Sequence, residues 1–338
     1  PAQRFAALHV EYDEGEAPAT RRTQYFIDHA SSILSRNDSP DLPFEVSLNP
    51  YRGCEHGCAY CYARPTHEYL GFSPGLDFES RIMVKPEAAK LLRKELAKPS
   101  YKPDTLSCSG VTDPYQPIEK KLRITRSCLE VLAECRHPVV FITKNHLITR
   151  DIDLLGELAK HDAAAAYISI TTLDPDLAHI LEPRASSPKQ RLEAIRALRD
   201  AGIPVGVSLA PVIPAINDEE IPAIMKAAAE AGATFSGSTV VRLPFAVKDI
   251  FAEWLERHFP QRMDKVLGRI RDTQGPTLSH SEFGKRLRGE GIWAEQIRKL
   301  YLVSQKRSGL DLGRPRLSTT SFRRPKLDTG QLELGLGE

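Results

Sequence analysis

No apolar run in this 338-residue sequence approaches the roughly 18–20 residues needed to span a bilayer. The longest candidates, Ala163–Leu173 and Pro204–Pro214, are broken by polar residues and prolines. A basic stretch followed by an apolar one is also lacking at the start, so no secretory signal is read there. The chain opens at Pro1 rather than Met, which is expected if an upstream stretch has been removed. Cysteine is scarce, at 6 residues, and poorly placed for a disulfide framework. Cys54, Cys58 and Cys61 crowd into one short stretch, whereas Cys108, Cys128 and Cys135 are scattered. No second Cys-x2-Cys pair accompanies the first. These absences exclude membrane, collagen-like, disordered and secreted disulfide-scaffold classes and point to a reducing, cytoplasmic setting. The 41% hydrophobic share is that of a globular chain able to bury a sizeable core.

Charge of one sign is also lacking overall, at a formal +2, but its distribution is uneven. From Lys285 to Lys326 twelve Lys/Arg face three Asp/Glu, a net +9 that leaves −7 for the remainder. Such a region either contacts nucleic acid or is a solvated helix face with a flexible tail. Within it, Ser318–Lys326 places Phe322 among charged residues, a pattern suited to phosphates and one stacked base. Gln331–Leu336 faintly resembles a bacterial sliding-clamp motif but lacks its terminal aromatic, so it carries no partner assignment.

What is present is a strand–helix alternation. Short strands, apolar on both faces, are predicted at Glu45–Leu48, Thr105–Ser109, Val139–Thr143, Ala166–Thr171, Pro204–Ala210 and Ser238–Leu243. Between them Lys85–Ala97, Thr125–Cys135, Ile152–Lys160, Pro188–Ala201 and Glu219–Ala231 show apolar residues at helical spacing. Gly202 and Gly232 each end a helix just before a strand. Six such units predict an α/β fold, a parallel barrel or open partial barrel. Residues 1–43 then form an N-terminal extension, 44–245 the barrel, 246–307 a helical C-terminal region and 308–338 a basic, poorly ordered tail. The helical region reads as Lys248–Phe259, Arg262–Thr273 and Ser281–Gln305, the last divided in two at Gly289 and Gly291.

The strongest chemical signal follows the first predicted strand. Asn49-Pro-Tyr-Arg-Gly-Cys54-Glu-His-Gly-Cys58-Ala-Tyr-Cys61-Tyr-Ala-Arg64 contains Cys-x3-Cys-x2-Cys. Three thiolates on one loop can hold three irons of a [4Fe–4S] cluster, leaving the fourth iron without a nearby cysteine. The competing reading is zinc, with His56 or His67 as fourth ligand, although zinc motifs more often come as two separated pairs. Cys128 and Cys135 lie seven apart on one helix and read as core.

The triplet, placed after strand one of a six-unit βα chain, resembles the radical S-adenosylmethionine (SAM) superfamily. The branch it looks like is the spore photoproduct lyase-like, or DNA repair photolyase-like, one. Asn49–Cys54, Tyr60–Tyr62, Ser109–Glu119, Ile142–Lys144, Arg191–Ile195 and Ala210–Asn217 carry that similarity. The resemblance covers about 44–245 and implies a partial (β/α)6 TIM-type barrel with the cluster at the C-terminal ends of the strands. Cys54, Cys58 and Cys61 would ligate the cluster, and SAM would chelate the open iron. Reductive cleavage would give methionine and a 5′-deoxyadenosyl radical that abstracts hydrogen from a substrate. An external electron donor such as flavodoxin or ferredoxin would be needed.

The resemblance also implies lesser positions. Ser109 and Gly110 would meet the SAM amino group through backbone oxygens. Lys144 and Ser169 would bind its polar groups, and Arg191 would pair with its carboxylate, while a surface ion pair is the ordinary role for Lys144 and Arg191. Asp113 and Glu119 match family positions without an assigned role. In the lyase a cysteine after strand two gives a hydrogen atom to the product radical, helped by tyrosines beside the third cluster cysteine. Cys108, Tyr60 and Tyr62 occupy comparable places here, while a buried packing role is the ordinary one for a strand cysteine. Tyr62 and Tyr115 read as rim aromatics able to stack on an extruded base, or simply to pack. The leading expectation is therefore a radical SAM enzyme acting on nucleic acid. Two alternatives remain: the same chemistry on a peptide, tRNA or small molecule, and a non-catalytic iron–sulfur or zinc protein that binds nucleic acid.

Overall fold

The computed structural model describes residues 22–42 and 44–326. Ten strands run in chain order as β1 Gln24–Ile27, β2 Leu34–Arg36, β3 Val46–Leu48, β4 Tyr51–Arg52, β5 Arg81–Val84, β6 Leu106–Cys108, β7 Val139–Thr143, β8 Ala164–Ser169, β9 Val205–Val212 and β10 Phe235–Val240. The helices are α1 Leu76–Ser80, α2 Ala88–Ala97, α3 Glu119–Leu122, α4 Ile124–Cys135, α5 Ile152–Ala159, α6 Pro175–Leu181, α7 Pro188–Asp200, α8 Ile221–Ala231, α9 Val247–His258, α10 Met263–Gln274 and α11 Gly291–Arg307.

The main sheet has the order β10-β9-β8-β7-β6-β3-β2. From β3 to β10 every pairing is parallel, and β2 alone adds antiparallel to β3. The sheet does not close, so six parallel strands form the expected partial barrel. Their helices cover one face, because each strand returns through a helix that must bury its apolar stripe against the sheet. The glycines that end α7 and α8 behave as expected. Gly202 and Gly232 have φ of +73° and +104°, in the left-handed region where a Cβ is penalised.

The open side is laced shut at one end. At the end of β10 Val240 N–H donates to Leu287 O (3.0 Å), and just beyond it Leu243 N–H donates to Leu278 O (2.9 Å). The same 278–290 stretch carries Arg286, whose guanidinium grips Asp41 at 2.7 Å (Nη2–Oδ1) and 2.9 Å (Nε–Oδ2). Asp41 lies between β2 and β3, so this ion pair joins the two opposite edges of the sheet.

Several expectations change here. The extension contributes β1 to a small side sheet of order β1-β5-β4, and β2 to the main sheet. Strand β10 starts at Phe235 rather than Ser238, because pairing with β9 overrides the turn-like Ser-Gly-Ser within it. Helix α6 was not anticipated, although Asp174 caps it and Pro175 opens it. The expected pair of helices at Ser281–Gln305 is one helix, α11, preceded by turns that end at Gly291.

The tail expectation also fails for residues 308–326. Leu310 is buried, Asp311 bridges Phe235, and Ser318 N–H donates to Asp162 O (2.8 Å). Phe322 packs against the rings of Tyr101 and His137, at 6.0 and 5.4 Å, instead of presenting a free face. Arg324 donates to the carbonyls of Leu96, Lys98 and Tyr101 at the end of α2. Phe235, Asp162 and Tyr101 all stand before their strands or at their starts. The basic strap therefore crosses the N-terminal ends of the strands, opposite the cysteine loop. Gln331–Leu336 lies outside the described residues.

Candidate active site

The cysteine loop leaves β3 at the C-terminal end of the sheet. Gly53 and Gly57 take φ of +79° and +69°. A Cβ on Gly53 would sit 2.8 Å from Phe78 O and 2.9 Å from His67 Cε1, so only glycine lets the loop turn inward there. All three thiols are free of disulfides. Cys54 and Cys58 are buried, Cys61 partly so. Burial raises the pKa of both Cys58 and Cys61; Glu182, then Cys61 and Cys54, raise that of Cys58 further, and Cys54 raises that of Cys61. The thiols lie near enough to raise one another's pKa, although among the described residues no three Cys, His, Asp or Glu side chains are gathered closely enough to hold a metal ion as they stand. Soft thiolates on one loop are the donor set that an iron–sulfur cluster takes.

The two proposed fourth ligands for zinc are already engaged, and His56 counts Cys54 itself among its hydrogen-bond partners. His67 Nε2 is 2.8 Å from Arg81 O. His56 is buried between Asp113 (3.4 Å) and Asn145 (3.3 Å). Burial alone would lower the His56 pKa, but Asp113 and Cys54 outweigh it and carry it up to about 10.

The neighbouring loop after β6 is stitched onto the cysteine loop. Asn49 Oδ1 accepts from Gly110 N–H (2.9 Å) and Val111 N–H (3.2 Å). Thr112 Oγ1 donates to Gly53 O (2.6 Å), and Gln116 Oε1 accepts from Glu55 N–H (2.9 Å). Glu55 in turn accepts from Ile118 N–H (2.7 Å). Asp113 accepts from Thr143 Oγ1 (2.7 Å) and Lys144 N–H (2.8 Å), tying in the end of β7. From inside, Arg64 threads the cysteine loop, donating to Cys58 O (3.1 Å), Gly57 O (3.2 Å) and Gly75 O (2.8 Å) while pairing with Glu79 (2.7 Å).

The expected SAM-binding positions divide into two groups. Gly110 is beside the loop, with its carbonyl accepting from Tyr62 Oη (2.7 Å); the oxygen keeps a second lone pair for a ligand. Ser109 turns its hydroxyl back to Thr112 O. Lys144 reaches over the mouth: its Nζ is 3.3 Å from Ala210 O and 5.8 Å from the Tyr60 ring centre. Its charge lowers the pKa of Cys58 and Cys61, so it stands beside the triplet, where a carboxylate would be welcome. Ser107 and Ser47 are register partners, and Ser107 Oγ is buried with no partner among the described residues, leaving a polar atom for a ligand.

Arg191, by contrast, is not available. It is 1% exposed, and its guanidinium is spent on Ser186 O (2.7 Å), Ser169 O (3.1 Å) and the Glu182 carboxylate. The expected bidentate grip on a SAM carboxylate is replaced by an internal brace. Glu182 also accepts from Tyr60 Oη and from Thr171 Oγ1 (2.8 Å), so the brace holds Tyr60 between the second and third cysteines. Ser169 contributes its backbone oxygen to the same brace and is itself buried.

Cys108 and Tyr115 move from the site to the core. Cys108 alternates with Ser107 on β6, faces fully buried Leu48 and Phe141 in register, and belongs to the main hydrophobic cluster with Cys128 and Leu129. Burial pushes its thiol pKa well above the ordinary value. Tyr115 packs 5.8 Å from Phe141 and is fully buried rather than on the rim. Cys108→Ala is therefore expected to cost about 1 kcal/mol of stability from the lost sulfur and to leave SAM cleavage intact. Unchanged stability combined with defective cleavage, measured by denaturant unfolding and 5′-deoxyadenosine yield, would contradict the packing role.

Sequence reasoning missed Glu182, Arg64, Asn49 and Arg242. Asn49 and Arg64 bound the quoted motif, so their placement was a usable signal. Glu182 sits 122 residues from Tyr60, and nothing local announces it. Arg242 follows β10 and stacks on the Tyr62 ring at 5.0 Å; Tyr62 itself is 49% exposed at the mouth.

The description "Radical SAM superfamily" matches residues 48–228. An uncharacterized protein of Mycobacterium tuberculosis (strain ATCC 25618 / H37Rv) is 37% identical over 244 residues, covering 71% of each chain. A radical SAM Nalpha-GlyT isomerase of Pseudomonas phage M6 is 30% identical over 172 residues, 51% of this chain and 34% of that protein. Spore photoproduct lyase complexed with dinucleoside spore photoproduct has the same fold at TM-score 0.59 and 17% identity, covering 84% of this chain and 79% of that one. Among the described residues no helix is long and apolar enough to cross a membrane.

Proposed function

The chain belongs to the radical SAM superfamily, and we propose that it acts on nucleic acid, in a repair or modification reaction of the photoproduct-lyase kind. That it is an enzyme, with a [4Fe–4S] cluster and SAM as cofactors, follows from the family. The chemistry these two supply when bound is one-electron cleavage of the sulfonium, then hydrogen-atom abstraction from substrate. Cys54, Cys58 and Cys61 would hold the cluster; Gly110, Lys144 and Ser107 would hold SAM. Tyr60, clamped by Glu182, would fix the loop between the cysteines. An external donor of flavodoxin or ferredoxin type would deliver the electron.

The observation that carries the substrate assignment is the mouth itself. Tyr62, directly after Cys61, presents an exposed aromatic face beside a cation at the open end of the barrel. A flat ring next to a guanidinium suits a base and its backbone. The dinucleoside bound by the spore photoproduct lyase that shares this fold lends support in the same direction.

The test is binding of single-stranded DNA, duplex DNA and RNA at two salt concentrations, paired with 5′-deoxyadenosine formation in the presence of each. Affinity should fall as salt rises, since bound Lys and Arg displace counterions, and one of the three should stimulate SAM cleavage. No binding at low salt would turn the assignment toward a peptide or small molecule.

A further inference from the structure

Besides Lys144, the mouth carries a second cation, Arg242, with no acidic side chain at ion-pair distance among the described residues. Arg242 is partly buried and makes no hydrogen bond or ion pair among the described residues; its guanidinium lies 5.0 Å over the Tyr62 ring. The charged groups that sense it besides Tyr62 are Arg286 and Asp41. Asp41 is already saturated: it takes two contacts from Arg286, one from Ser39 Oγ (2.5 Å) and one from Gly284 N–H (3.3 Å). Arg286 itself lies 4.8 Å over the ring of Phe283, which is 51% exposed. Two aromatic–arginine pairs therefore stand on the seam where the barrel is laced, and only the second has a carboxylate.

We propose, resting on the nucleic-acid reading above, that Arg242 binds a backbone phosphate of the substrate, with the exposed Tyr62 ring beside it as a surface for a base. A guanidinium stripped of part of its water without a counterion is costly unless an anion arrives. Burial, followed by the like charge of Arg286, lowers the Arg242 pKa, which is the same cost seen as a titration. The planar fork of arginine matches a phosphate bidentately. The carboxylate of SAM does not need this residue, because Lys144 stands at the cysteines. Interleaved cations and aromatic faces are how single-stranded or extruded nucleotides are held.

The experiment uses the full-length, cluster-loaded protein with SAM. Isothermal titration calorimetry compares thymidylyl-thymidine, which carries one phosphodiester charge, with its uncharged methylphosphonate analogue, against wild type, Arg242→Gln and Arg242→Lys. Wild type should prefer the charged dinucleotide by about 10-fold, the scale of a hydrogen bond to a charged group. Arg242→Gln should erase that preference and Arg242→Lys should restore part of it. Thermal unfolding of each variant establishes that it is folded. A folded Arg242→Gln that keeps the wild-type preference overturns the phosphate site and leaves the nucleic-acid reading standing, as does a wild type that binds both forms equally. Binding of neither form to wild type overturns both.

Discussion

Cys58→Ala, prepared and assayed anaerobically, is expected to form no 5′-deoxyadenosine, while Cys135→Ala retains the activity. The two residues are chemically identical and both buried. Cys58 shares its surroundings with Cys54 and Cys61, whereas Cys135 ends α4 within the apolar core. Three thiolates hold three irons of a [4Fe–4S] cluster; with one removed, the set cannot retain it. Iron content should fall together with activity. Circular dichroism should report a folded barrel, because the βα units are assembled from core residues that the thiol does not support. A Cys58→Ala protein that still cleaves SAM would refute the ligand assignment, and a Cys135→Ala protein that fails would place the chemistry elsewhere.

Arg191→Met is expected to produce the largest loss of stability among single substitutions near the site, about 3–5 kcal/mol, the cost of leaving one member of a buried ion pair alone. Neither side chain is screened by solvent: Arg191 and Glu182 side chains are 1% and 0% exposed. Once the arginine is gone, Glu182 keeps its hydrogen bonds from Tyr60 and Thr171 but loses its partner charge. Replacing both by apolar residues, Arg191→Met with Glu182→Leu, should cost less than the single change, because no unpaired charge remains. Urea unfolding midpoints of the three proteins decide the matter. A double variant less stable than Arg191→Met would show that the hydrogen bonds Glu182 accepts from Tyr60 and Thr171 outweigh the cost of its unpaired charge. The single variant should also retain less iron, since the brace fixes Tyr60 between Cys58 and Cys61.

What could be read in advance follows a physical divide. The cysteine triplet was legible because its ligands lie within one turn of loop, so spacing alone encodes them. The strands β3 and β6 to β9 were legible because their faces are largely buried, whereas the half-open β10 was misplaced at its start; the helix ends were legible because Gly202 and Gly232 take a left-handed conformation. Contacts between distant segments were not legible. An arginine on a helix after strand four reads as a ligand-binding residue or as half of a surface ion pair, and only Glu182 reveals the buried brace. Cys108 was ambiguous for a similar reason. A three-residue strand points alternate side chains to opposite faces, and its register with Leu48 and Phe141 settles which face is which. Charge count misled in the tail, where Arg324 and Phe322 hold the floor of the barrel. Arg242, which has no ion-pair partner among the described residues, lies in a stretch whose composition gives no hint of its place at the mouth.

The most direct measurement is isotope transfer. Oligonucleotide substrates deuterated at sugar and base carbons are incubated with the reduced, cluster-loaded protein and SAM, and the 5′-deoxyadenosine formed is analysed by mass spectrometry. The account predicts deuterium in 5′-deoxyadenosine with at least one labelled nucleic acid, and none when Cys58→Ala replaces wild type. Abundant 5′-deoxyadenosine that stays unlabelled with every nucleic acid, but gains deuterium from a labelled peptide, would contradict it.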